Sequence, residues 1–216
     1  MQRAPERMAV RSPENAPHTI GVLLFPGFEL LDVFGPLEMF GLLPQHFAIR
    51  LVAEQGPDVA SAQGPRSLVD DLFDKAQRYD ILLVPGGPGT RTEVENTTLL
   101  AWLRERAQPA RLIASVCTGS ALLARAGLLD GRRATTNKNA FAWVSAQGPS
   151  VHWQTHARWV EEDDCFTASG VSAGIDMSLA VIAKLLGSAV AEGVAVQAEY
   201  EWRNDASHDP FARGAA

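Results

Sequence analysis

Cys117 lies in Arg111-Leu-Ile-Ala-Ser-Val-Cys117-Thr-Gly-Ser-Ala-Leu-Leu-Ala124, a short apolar run that passes straight into strong helix formers. A thiol at such a junction can act as a nucleophile. Ser115 and Gly119 stand two residues either side of it, and a strand-to-helix turn this sharp needs small neighbours to thrust the central side chain outward. The positive end of the following helix would favour thiolate over thiol. Against this stands the ordinary fate of a lone cysteine, which is to fill a core. Cys165, in Glu161-Glu-Asp-Asp-Cys-Phe-Thr-Ala168, fits that description: it has no junction and reads as structural.

Gly86 and Gly87 follow another apolar run, Tyr79–Val84. Glycine after a strand lets the backbone aim its N–H groups at a ligand. If the Gly87 and Thr118 amides converge, they form an oxyanion hole beside the sulfur. A phosphate loop is a weaker reading, because Pro85-Gly-Gly-Pro-Gly-Thr90 lacks the G-x-G-x-x-G spacing and Pro88 removes a donor. A plain tight turn is the remaining alternative.

An acid completes the set. Asp32 lies just beyond the first apolar run, among Leu30, Leu31, Val33 and Phe34. Taken alone it reads as a helix cap. Placed at the same sheet edge, its carboxyl reaches the thiol, and with a raised pKa it would shuttle a proton. Glu38 is further along and expected to face away. Of the five histidines, His18 and His208 sit near the ends, while His46, His152 and His156 occupy no junction. Residue 118 is threonine, so a Cys–His couple is not supported. No metal-ligand spacing is present, and neither metal nor cofactor is expected.

The elements that position these residues alternate. Thr19–Phe25, Phe47–Ala53, Tyr79–Val84 and the run before Cys117 read as buried strands. Leu30–Leu43 reads as a helix with Pro36 near its first turn, and Asn96–Ala107 as a second helix. Residues 56–74 suit a hairpin or edge strands. Ala134–Thr136 is strand-like, Asn139–Val144 a short helix. Val151–Trp153 and Ala157–Val160 suggest short strands or a hairpin before Phe166–Ala168. Ser172–Leu186 is a buried helix capped by Ser172, and a final helix spans Ser188 to about Trp202. This alternation predicts an α/β, doubly wound, mostly parallel sheet, with ligands beyond the carboxyl ends of its strands.

The 216 residues suit one domain, set at 18–203, between a disordered leader (1–17) and a flexible tail (204–216). Met8 is an alternative start. A net charge of −6 without a Lys/Arg cluster argues against nucleic-acid binding. No apolar run is long enough to span a membrane, and two cysteines make no disulfide framework, so a reducing cytoplasm is expected.

The ordered motifs Leu-Phe-Pro-Gly, Leu-Asp-x-x-Gly-Pro-x-Glu, Val-Pro-Gly-Gly-x-Gly, Ser-Val-Cys-Thr-Gly-Ser, Arg-Arg-Ala-Thr-Thr and Gly-Val-Ser-Ala-Gly-Ile-Asp resemble the ThiJ/PfpI superfamily, of the class I glutamine amidotransferase-like fold. Within it the chain looks most like the isonitrile hydratases and the sensor-like domains of AraC-type regulators. The resemblance covers roughly residues 19 to 202. It implies a flavodoxin-like α/β/α sandwich with a nucleophile elbow, a homodimer, and a small-molecule substrate. It places the nucleophile at Cys117, the hydratase acid at Asp32, and the following threonine at Thr118. Oxyanion and substrate contacts fall on Gly86, Gly87 and the Thr118 amide, and Ser169, Gly170 and Val171 form the pocket-facing loop. Where hydratases tend to place a histidine, this chain has Asn137, which leaves the substrate open. Asp176 reads as structural. The leading expectation is hydration of an isonitrile to an N-substituted formamide. A glyoxalase-like enzyme and a cysteine-based redox or small-molecule sensor are the alternatives. A DNA-binding regulator is disfavoured, because no helix-turn-helix follows residue 202.

Overall fold

The computed structural model describes residues 16–212. In chain order the elements are β1 (His18–Leu24), α1 (Leu30–Gly41), β2 (Phe47–Ala53), β3 (Asp58–Ala60), β4 (Arg66–Leu68), β5 (Asp71–Leu72) and β6 (Ile81–Val84). Next come α2 (Thr90–Glu93), α3 (Thr97–Ala107), β7 (Leu112–Val116), α4 (Gly119–Arg125), β8 (Arg133–Ala134) and α5 (Phe141–Gln147). The chain finishes with β9 (His152–Trp153), β10 (Trp159–Glu162), β11 (Cys165–Ala168), α6 (Ala173–Leu186) and α7 (Ser188–Gln197).

Seven strands form one sheet in the order β10-β11-β7-β6-β1-β2-β5. Every neighbouring pair is parallel except β10 with β11. The chain is thus an α/β fold with a mostly parallel sheet flanked by helices. From the centre, β1 to β2 steps one way and β6 to β7 steps the other. Right-handed crossovers therefore send α1 and α3 to opposite faces. Helix α1 packs with α6, which in turn packs with α7, while α4 gathers α2, α3 and α5. Both faces being covered, β6 and β7 are buried along their whole length, as their unbroken apolar runs require. The order reverses between β1 and β6, and the loops after these two strands open at that crevice.

Several local expectations are corrected. Pro36 lies in the body of α1, not its first turn, and its missing N–H is the one that would have bonded the Asp32 carbonyl. Ser172 occupies the cap position of α6 without a capping bond, its hydroxyl lying 3.4 Å from Arg158 Nη2. β9 pairs with β8, and the hairpin is β10–β11. Helix α7 stops at Gln197, short of Trp202, where Glu199 takes a positive φ of 49°. Trp202 instead donates its indole N–H to the Asp176 carbonyl at 3.1 Å.

Residues 204–212, in the stretch expected as a tail, make contacts with the body. Arg158 N–H donates to the Ala206 carbonyl at 2.8 Å, and Asp209 N–H to the His156 carbonyl at 2.8 Å. The Asp209 carboxylate is buried 3.7 Å from Arg158. A buried cation with its own anion in this segment holds it to the body. Residues 1–15 of the expected leader, and 213–216, lie outside the described residues.

Candidate active site

Cys117 occupies the turn between β7 and α4 with φ of +56°, a region that L residues with a side chain rarely enter. The strain is held from every side. Cys117 N–H donates to the carbonyls of Ser169 (2.9 Å) and Ala168 (3.2 Å) beyond the end of β11. Its own carbonyl accepts from Thr136 Oγ1 at 2.9 Å and Ser120 Oγ at 3.1 Å. Gly119 lies against the carbonyl oxygens of Val84 and Pro85, where a β-carbon would overlap them. The small residue that the sequence placed there is a steric requirement.

Asp32 sits in the first turn of α1 and is fully buried. It does not cap its helix: the cap position is Glu29, with no capping bond, and Asp32 Oδ2 accepts from Gly86 N–H at 2.9 Å. Asp32 Oδ1 is buried and forms no directed hydrogen bond. Burial lifts the carboxyl to about 8; the Gly86 amide and the Cys117 thiol pull it down, and the Glu29 charge pushes it up. At neutral pH this acid keeps its proton.

The same burial raises the Cys117 thiol well above its ordinary range, with the Asp32 charge adding to it. The Thr118 amide and Asn137 favour the thiolate but do not outweigh burial. The expectation of a resting thiolate is therefore corrected. Cys117 is only 5% exposed, and desolvation of the anion exceeds what one short helix end supplies. Burial thus disfavours the charged form of both Cys117 and Asp32.

Asn137 is brought directly to the sulfur, with Nδ2 at 3.2 Å from Sγ. Its orientation is fixed because Oδ1 accepts from the N–H groups of Asn139 (2.9 Å) and Ala140 (3.0 Å). Gly170 lies so close that a β-carbon would be 3.2 Å from Sγ and would overlap the Asn137 amide. Ser169 is buried with its hydroxyl unpartnered. Val171 stands further out, lining the cavity that leads away from Gly170.

The oxyanion arrangement differs from expectation at Gly87. Its N–H donates to Thr118 Oγ1 at 3.0 Å and so points at protein, not at an open site. The reason is the threonine itself, whose hydroxyl is the nearest acceptor after Val84-Pro85. Gly86 is likewise engaged by Asp32. The pair therefore braces the site, while the Thr118 amide bonds to the Cys117 sulfur. Thr90 and Thr136 are functional supports that sequence reasoning missed. Thr90 Oγ1 donates to the Gly87 carbonyl at 2.7 Å and lies 3.1 Å from Thr118 Oγ1. Only Thr136 had a signal, as part of the Arg-Arg-Ala-Thr-Thr motif.

Cys165, by contrast, is buried on β11 beside Ile113 with no carboxyl or amide aimed at it. Asp176 is bound by Arg158, as a structural residue would be. Among the described residues no group of histidine, cysteine and acidic side chains could hold a metal ion. No described helix is long and apolar enough to cross a membrane.

A strained cysteine at an elbow, faced by a buried acid on a switch-point sheet, defines a class, and the comparison with known proteins gives the family. The DJ-1/PfpI family model matches residues 18–184, and the chain belongs to that family. It is 34% identical over 193 residues to the isonitrile hydratase of Pseudomonas putida, covering 84% of this chain and 78% of that one. It is 30% identical over 203 residues to the HTH-type transcriptional regulator GbdR of Pseudomonas aeruginosa, covering 91% of this chain but 55% of the regulator. Among solved structures, a ThiJ/PfpI family protein from Pseudomonas syringae superposes with a TM-score of 0.78 at 30% identity, covering 98% of this chain and 86% of that one.

Proposed function

We propose that the protein hydrates a small isonitrile to an N-substituted formamide, with Cys117 as nucleophile and Asp32 as proton carrier. The observation that carries this is the fully buried Asp32 carboxyl next to the Cys117 thiol, its Oδ1 without a hydrogen bond, where burial favours the protonated form. An isonitrile carbon must receive a proton and a nucleophile together, and a neutral acid paired with a neutral thiol supplies both.

Asp32 delivers its proton to the isonitrile carbon as Sγ bonds to the same atom. The thiol proton passes to Asp32, which restores the acid. The product of this step is a thioimidate, R–N=CH–S, on Cys117. Water then adds across the C=N bond, the nitrogen taking one proton. Collapse breaks the C–S bond, returns a proton to sulfur and releases R–NH–CHO. As charge grows on the departing sulfur, the Thr118 amide and Asn137 Nδ2 stabilise it. The 34% identity to an isonitrile hydratase supports this reading.

The test is consumption of an aryl isonitrile followed with formamide detection. Wild type is expected to turn over, and Cys117→Ala to fall to background. Undiminished turnover by Cys117→Ala, or none by wild type across alkyl and aryl isonitriles, would overturn it.

A further inference from the structure

Next to the cysteine lies a cavity of about 380 Å³ lined by Leu31, Asn137, Lys138, Ser169, Val171 and Phe211 among others. Cys117 is not on its wall, but Asn137 and Gly170 are, and these two residues lie against Sγ. The volume is that of a pocket for a small organic molecule, much larger than the one-carbon reacting group needs.

Two polar features of this cavity are incompletely satisfied among the described residues. Ser169 is 1% exposed, and its hydroxyl finds no partner. Lys138 Nζ donates to Thr135 Oγ1 at 2.8 Å and to the Ala157 carbonyl at 2.7 Å, so one of its three N–H groups has no acceptor among the described residues. No carboxylate among them forms an ion pair with it. Burial lowers this ammonium to about 8, with Asp209 acting in the other direction. A half-buried cation lacking an ion pair favours an anion from outside.

The apolar features point the same way. Leu31 and Phe211 are exposed at 42% and 64%, yet both lie on the cavity wall. Phe211 is not a loose surface ring. Its N–H donates to Asp209 Oδ1 at 3.0 Å, and Asp209 is buried beside Arg158. The tail is thus anchored one turn from the ring that it presents. A second hollow, of about 310 Å³, shares Lys138, Asn139 and Phe211 with the first, so these three residues stand between the two.

We propose that this cavity is a binding subsite for the far end of the substrate, and that it selects molecules with a short apolar body ending in a carboxylate. Lys138 and Ser169 hold the carboxylate, while Leu31, Val171 and Phe211 cover the body. For the reacting end, the inference rests on the hydratase reading above; the carboxylate preference is a matter of binding alone.

The experiment separates the two. Calorimetric binding of 3-formamidobenzoate, a product analogue, is compared with that of its uncharged isostere 3-formamidobenzamide, and turnover is measured with the corresponding isonitriles. Wild type is expected to prefer the benzoate by about tenfold, the scale of one charge-assisted contact. Lys138→Met should bring the two ligands within about twofold, and Lys138→Arg should keep part of the preference. Phe211→Ala, at an exposed position, should weaken both ligands by a similar factor. Equal binding of the two ligands to wild type, or a preference undiminished in Lys138→Met and Ser169→Ala, would overturn the subsite. A preference that persists while neither isonitrile is consumed keeps the subsite and removes the hydratase reading. Turnover without the preference does the reverse.

Discussion

Asp32 and Asp176 are both fully buried, and each stands in the first turn of its helix, α1 and α6. There the likeness ends. Asp176 Oδ2 accepts from Arg158 Nε at 2.7 Å, and its Oδ1 from the Tyr200 hydroxyl (3.0 Å) and Arg203 N–H (2.9 Å). Asp32 has one amide, from Gly86, and a second oxygen with nothing. A carboxylate surrounded by donors and a counter-ion is a structural tie. A carboxyl with a single amide donor and no counter-ion favours keeping its proton and has it available for chemistry. Equal burial and equal helix position therefore produce opposite roles, and the neighbours decide.

The sharpest way to break this contrast is to remove the acid alone. Asp32→Asn preserves size and the Gly86 contact, and turnover should fall by about 10²–10⁴, the usual worth of a positioned proton donor. A variant with near-normal turnover would make Asp32 a structural residue like Asp176. The converse substitution should act on folding. Asp176→Ala leaves the Arg158 charge buried with only Asp209 nearby, and chemical denaturation should show a loss of about 3–5 kcal/mol. A loss under about 1 kcal/mol would remove the structural half of the comparison.

Stability against pH sharpens it further. Asp32 has a folded pKa of about 8, above its ordinary 3.8, so between those values the native state holds more protons than the unfolded chain. Its contribution is complete below the lower value and is lost as pH rises through the upper one. Wild-type Tm relative to Asp32→Asn should thus decline from pH about 5 to about 8. Turnover should also decline as pH rises through about 8, as the donor loses its proton. A difference in Tm that stays flat with pH would contradict the raised value. The smallest effect is expected at the second thiol: Cys165→Ala should leave turnover within about twofold, since a buried cysteine away from the elbow acts as a small apolar filler.

Much of the elbow was legible from local signals. Ser115, Gly119 and the change from apolar run to helix formers announced the turn, and the sheet-edge rule carried Asp32 from the end of β1 to the end of β7. What escaped depended on distant chain. The Gly87 amide is taken by a side chain 31 residues away, and Thr90 and Thr136 matter only through contacts across the sheet edge. The thiolate expectation failed because the helix end is visible in sequence whereas the degree of burial is not. The contacts of the tail escaped for the same reason. Asp209 sits in a polar stretch with no helix or strand pattern, and its partner Arg158 is recognisable only once the body is folded.

The central claim is that Asp32 rests as a protonated acid beside a neutral thiol. Infrared difference spectroscopy of wild type against Asp32→Asn at neutral pH reads this directly. The account predicts a protonated carboxyl C=O band in wild type that the variant lacks, with no matching carboxylate band. A carboxylate band at neutral pH, with no protonated C=O signal, would contradict it.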